Sequence, residues 1–179
     1  MIDRQLQLLQ RLRWLTTFFI VALVASGVTA IPLETELDWL ARAFGIAHGE
    51  PPANVVAEWL GRVRAALHDV NAHHPFLAYG TDWLAFGHVV IAIAFVGAWR
   101  DPVKNIWLFE FGLIACALVV PWAFVFGALR GIPIWWRLID CSFGVLGFLP
   151  LWYCRRCARE LAKFEAGAKS VGYLEPGRG

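Results

Sequence analysis

Residues 105–129 read NIWLFEFGLIACALVVPWAFVFGAL, an apolar run whose one charged side chain is Glu110. A helix rises about 1.5 Å per residue and the hydrocarbon core of a bilayer is about 30 Å thick, so about twenty mostly apolar residues cross it. Inside lipid every backbone N–H and C=O must be paired, and a run of this length without alternating polarity pairs them as a helix rather than as a barrel strand. Three other stretches pass the same test: residues 14–33, 82–99 and 133–154. The expected fold class is all-α, a polytopic membrane four-helix bundle with short extracytoplasmic amphipathic helices. Composition agrees. Of 179 residues 59% are apolar and ten are Trp, whereas a water-soluble domain carries about half apolar residues. A net charge of +2, with the basic residues set beside apolar spans, argues against nucleic acid as a partner, since phosphate binding needs a concentrated basic face.

Positive residues at the ends of spans resist translocation and so set orientation. Arg4, Arg11 and Arg13 precede the first span, Arg100 and Lys104 fill the turn between the second and third, and Arg155, Arg156, Arg159 and Lys163 follow the fourth. These belong to one side, expected to be the cytoplasm. Residues 1–13 are then a cytoplasmic N-terminus, 155–179 a cytoplasmic tail and 34–81 an extracytoplasmic helical cap in which acidic residues outnumber basic ones. Arg130 and Arg137 lie near the short outer turn. Trp14, Trp99, Trp107 and Trp152 mark one interface and Trp83, Trp135 and Trp136 the other, where amphipathic rings settle. A cleaved signal peptide is the rival reading of the first span, with Val28-Thr29-Ala30 as the small-residue site. A retained span fits better, because Ala22, Ser26 and Ala30 place small side chains four apart, a stripe suited to close helix contact.

Within 34–81, Leu37, Leu40, Ala41 and Phe44 repeat at helical spacing, Gly45 closes that helix, and Pro51-Pro52 break the chain before a second one. In the second, Val56, Trp59, Leu60, Val63, Leu67 and Val70 form one face, with Glu58 and Arg62 paired four apart on the other. These faces rest on the lipid surface or cap the bundle.

Ionisable groups inside a bilayer cost several kcal/mol unless paired or hydrated, so each is a candidate site. His88, Glu110, Arg137 and Asp140 are the four. His88 and Asp140 each lie about six residues in from the outer surface, hence at a shared depth of about 9 Å. Ala85, His88, Ala92 and Phe95 share one face, and Asp140, Gly144, Gly147 and Leu151 another, which points both ionisable residues inward. With Asp82, Arg130, Arg137 and Ser142 they define a polar cluster in the outer half that pairs with itself or binds a small ligand or partner. A carboxylate and a His at one depth also suit a proton or solute path, as in a proton-coupled carrier. His73, His74, His88 and Asp140, with Asp82, offer ligands for zinc and a metal-bound water, the chemistry of a membrane hydrolase or lipid-modifying enzyme, although no HExxH-type pair is present. Haem b is a further cofactor candidate, with only His88 inside a span. For Glu110 the expected partner is Arg155 or Arg156. Pro121 and Pro150 interrupt the third and fourth spans.

Cys154-Arg-Arg-Cys157 is a CxxC, as in four-span thiol oxidoreductases, but it falls on the reducing cytoplasmic side among arginines. Cys116 and Cys141 read as small apolar packers. Finally, Gly80-Thr-Asp-Trp-Leu-Ala-Phe86, Arg100-Asp-Pro-Val-Lys-Asn-Ile-Trp107 and Arg137-Leu-Ile-Asp-Cys-Ser-Phe-Gly144, within residues 75–156, are similar to a group of uncharacterised four-span bacterial membrane proteins. That resemblance implies an inner-membrane setting and carries over no activity and no functional residue. The expectation is a non-enzymatic, multi-pass inner-membrane component with the lipid bilayer as its surroundings, no cofactor, and another copy or other membrane proteins as partners.

Overall fold

A computed structural model describes the backbone of residues 2–43 and 54–172, and the side chains of 3–43 and 54–167. Among the described residues the chain is helical almost throughout, with no strand: α1 (Ile2–Thr29), α2 (Leu33–Ala43), α3 (Val55–His73), a 3-10 turn (Pro75–Ala78), α4 (Tyr79–Arg100), α5 (Ile106–Leu129) and α6 (Ile134–Gly172). Four of them, α1, α4, α5 and α6, are long and apolar enough to cross a membrane. Helix ends differ from the span ends read in the sequence. The first helix starts at Ile2 and stops at Thr29, and α6 runs on to Gly172 instead of ending near Cys154. Residues 155–172 are polar yet rich in Ala, Arg, Glu and Lys, strong helix formers that need no lipid to stay helical. Phe44, Gly45, Pro51 and Pro52 lie outside the described residues.

The chain divides into two compact units, Met1–Val21 with Ala92–Gly179 and Ala22–Ile91, with α1 and α4 contributing to both. In the first unit α5 and α6 run antiparallel over their length. Gly112 meets Leu151, Gly144 meets the backbone of Cys116, Gly147 meets the Cys116 sulfur, and Gly127 meets the Arg137 side chain. A Cβ on Gly144 would stand 2.7 Å from the Cys116 carbonyl oxygen. Lipid supplies no hydrophobic drive between apolar helices, so close backbone approach through small residues is what holds such pairs. Phe95 of α4 is fully buried, its ring 4.8 Å from Phe19 and 6.3 Å from Phe109. The residues Cys154, Cys157, Ala158 and Leu161 are buried on α6, facing Leu12 and Thr16 of α1 in part through a 3.9 Å contact of the Cys154 sulfur with the Thr16 hydroxyl. Both CxxC thiols therefore act as packing groups in this unit.

In the second unit α2 and α3 also lie antiparallel. Leu37 and Ala41 of α2 and Ala57 and Leu60 of α3 are buried. Asn54 caps α3, its side chain accepting the Ala57 N–H at 2.9 Å. Trp59, Val63, Leu67 and Val70 are half-buried as the spacing predicts, but Val56 and Leu40 are exposed, and Ala57 takes the inward place of Val56. The predicted Glu58–Arg62 pair forms at 3.0 Å. In this unit α1 and α4 touch at Gly27, where an added Cβ would stand 2.8 Å from the His88 Cβ and 3.0 Å from the Ala85 carbonyl oxygen. Ala22 and Ser26, expected to make that contact, are exposed.

Candidate functional site around Asp140

The turn into α6 is built from the end of α5. Arg130 caps α5, and Gly131 takes φ +68°, a left-handed conformation that costs a glycine nothing. The Gly131 N–H donates to Ala128 O and the Ile132 N–H to Gly127 O at 2.8 Å, the paired bonds of a Schellman motif. Arg137 then reaches back and donates from Nε to Ile132 O at 2.7 Å, its stem lying over Gly127. The cluster expected to pair with itself does not do so at Asp140: among the described residues neither Arg137 nor Arg130 meets its carboxylate. Helical side chains lean toward the N-terminus, so Arg137 leans to the turn and away from Asp140, which lies one turn beyond it.

Asp140 is left half-buried and lines an open groove of about 480 Å³ together with Ala115, Leu118, Val119, Trp122 and Ala123 of α5. Among the described residues no hydrogen bond or ion pair reaches its carboxylate. A carboxylate set against alkyl and indole surface costs several kcal/mol unless something supplies a donor or a proton.

The other sequence-derived candidates are satisfied close to home. Ser142 donates to Ile139 O at 2.6 Å. The Nδ1 of His88 lies 2.8 Å from Leu84 O, one turn back on α4. His73 pairs with Asp69 at 3.0 Å, and His74 stacks edge-on with Phe76 at 6.0 Å. Asp82 is exposed in the first turn of α4, where the helix dipole favours an anion, and Arg130 is exposed at the end of α5. His88 belongs to the second unit and Asp140 to the first. Among the described residues no three His, Cys, Asp or Glu side chains gather as a metal-binding group.

No protein-family model, curated protein or solved structure matches this chain.

Other charged groups lie elsewhere. Glu110 receives Arg155 Nε and Arg159 at 2.9 Å each, which bears out the expected Arg155 partnership and adds a second guanidinium. Asp101 accepts the Lys104 N–H at 3.0 Å and pairs with its ammonium at 3.0 Å, and these two contacts, the N–H first, hold its carboxyl below the ordinary value. On α2 and α3, Glu34 is bound by Asn71 and by His68 at 2.8 Å, and Asp38 by Arg64. The Asn71 hydrogen bond, then that of His68, keeps Glu34 below its ordinary value. The α2–α3 clamp was not singled out from the sequence. Its signal is the matched order of Glu34 and Asp38 against Arg64, His68 and Asn71, four and three residues apart, as two antiparallel helices require.

Proposed function

We propose that this chain is a multi-pass protein of a bacterial inner membrane, folded as a four-helix bundle with both ends in the cytoplasm, and that it is a non-enzymatic binding component. Its outer half would take a small ligand or a partner at Asp140. The observation that carries the binding reading is the Asp140 carboxylate, which has no partner among the described residues and opens on an apolar groove. A structural ion-pair role would require a cation there, and the nearest in sequence, Arg137, is engaged with Ile132 O. The occupant supplies a hydrogen-bond donor or a positive charge together with apolar surface, the combination presented by another membrane helix or by a lipophilic amine.

Several features support the topology. Four crossings return the chain to its starting side, and Arg4 in the first turn of α1 pairs with Glu160 of α6 at 2.7 Å. Basic residues collect at that end. Trp14, Trp83 and Trp107 keep 76%, 56% and 56% of their surface exposed, as rings destined for a membrane interface do. The likeness of residues 75–156 to four-span bacterial proteins is consistent with the same setting.

A photoreactive amino acid at Leu118, which is exposed on the groove, tests the binding role in whole cells. Irradiation should give a discrete adduct that disappears in Asp140→Leu. An adduct indifferent to that substitution, or none, would sink the assignment. The variant itself should unfold in detergent at the same temperature as the parent or higher, since no internal partner is lost and a desolvation cost is removed.

A further inference from the structure

The walls of the Asp140 groove restrict what can occupy it. The register of α5 on α6, set by Gly144 against the Cys116 carbonyl and Val119 and by Gly127 against Arg137, brings Ala123 level with Asp140 and Trp122 beside it. At about 480 Å³ the groove is of small-molecule size, a range of about 300–1,000 Å³. Trp122 keeps 67% of its surface exposed and is braced by Phe126, the ring centroids 4.3 Å apart. Ala115, Leu118, Val119 and Ala123 present only alkyl groups, and an indole donates a hydrogen bond but accepts none. Among the side chains that line the groove, the Asp140 carboxylate is therefore the one acceptor, and no described residue meets it.

Such a site calls for positive charge, and a second copy of this chain has none free to bring to this depth. In its spans Glu110 and Asp140 are acids, Arg137 is tied to Ile132 O, and Arg130 stands exposed at the outer turn. His88 holds its Nδ1 2.8 Å from Leu84 O. A carbonyl only accepts, so Nδ1 carries the proton, and the neutral ring keeps at Nε2 a lone pair that a carboxylate repels.

The kind of cation follows from the alkyl walls. A primary ammonium carries three N–H donors, and one carboxylate to one side of it leaves at least one of them without an acceptor, a costly state in apolar surroundings. A quaternary ammonium or an arylphosphonium has no such donors. Its methyl or aryl groups pack on alkyl surface, and its charge is attracted by the face of an indole. We infer that the groove binds a lipophilic cation without N–H groups, its charge at Asp140 and its methyl or aryl groups against Trp122 and the alkyl wall. This rests on the binding and membrane-spanning readings proposed above, the second because water in the groove would supply the acceptors that its walls lack.

The test uses the full chain in an uncharged detergent, dialysed to equilibrium against tetraphenylphosphonium or tetraphenylborate, ions of nearly one shape and opposite charge, with empty micelles as the baseline. The phosphonium should be retained above that baseline and the borate not. Phenylbutyltrimethylammonium should bind about tenfold more tightly than phenylbutylamine, the effect of one unmade hydrogen bond. Asp140→Asn should abolish the preference for phosphonium over borate. Trp122→Leu should weaken phosphonium binding about fivefold, and Trp122→Phe should restore part of it. Asp140 loses no internal partner and Trp122 is exposed, so both positions are expected to tolerate these changes, which an unchanged melting temperature checks. The comparison of the two ions on the parent chain needs no variant. Equal retention of the two ions, an amine that binds as tightly as its trimethylated form, or a preference that survives Asp140→Asn overturns the inference. If it falls while the Leu118 adduct still depends on Asp140, the site stands with a partner helix in it; if that adduct is also indifferent, the binding reading falls too. Release of the chain from membranes by alkaline carbonate would instead overturn the spanning reading.

Discussion

Two antiparallel helix pairs in this molecule are held by opposite means. Along α5 and α6 the contacts are glycine against backbone, sulfur and alkyl groups, with ionic contacts confined to Glu110 near the start of α5. Along α2 and α3 a thin apolar seam of Leu37, Ala41, Ala57 and Leu60 is flanked by Asp38 with Arg64 and by Glu34 with His68 and Asn71. The difference is the one that the proposed setting, α5 and α6 in lipid and α2 and α3 in water, would require. Among lipid chains, burying a leucine gains nothing over leaving it exposed, so atoms must interlock. In water a short amphipathic pair gains from its seam, and charges at its edge align the helices at little cost in hydration.

The largest effect should come from filling the α5–α6 contact in which a glycine lies against backbone. Gly144→Leu drives a side chain into the Cys116 carbonyl and should cost about 3 kcal/mol or more, seen as a marked fall in the detergent melting temperature. A variant that melts with the parent would mean that α5 and α6 do not meet at this point. Next, Arg64→Met should loosen α2–α3 by about 1 kcal/mol, because the Arg64 side chain is only 21% exposed where it meets Asp38. Faster amide exchange confined to 33–43 and 55–73 would report it. Acid should act on the same pair. Glu34 has an ordinary value of 4.5 and is held below it when folded. Its contribution is complete above pH 4.5 and is lost as pH falls through the lower folded value. Protease sensitivity of α2–α3 should therefore rise on acidification, and Glu34→Gln should blunt that rise. The smallest effect belongs to Arg62→Ala, an exposed pair on one helix, about 0.3 kcal/mol. A large loss there would show that surface charge does more for α2–α3 than its seam.

Long-period features were legible in the sequence. Four apolar runs became four long helices, the cap became two amphipathic ones, and pairs four apart or at facing helix ends, Glu58–Arg62 and Glu110–Arg155, formed as spacing implied. What was not legible depends on a helix's rotation or on the lean of a single side chain. The small stripe of Ala22, Ser26 and Ala30 and the true contact at Gly27 differ by one position, or about 100° of rotation, which composition does not resolve. Arg137 and Asp140 share a spacing that permits a pair, yet the Schellman turn offers Arg137 a nearer acceptor in Ile132 O. The groove beside Asp140 arises from α5, and no local pattern announces which neighbour leaves a carboxylate alone.

The length of α6 has a mechanical consequence. Its 39 residues extend about 58 Å, nearly twice a hydrocarbon core. Arg4 ties α1 to this surplus through Glu160, and Arg11 reaches Tyr153 just before the surplus begins. In the proposed setting the bundle would end in a two-rod mast standing in the cytosol, with Pro150 as the break in backbone hydrogen bonding between that mast and the part of the span that bears Asp140.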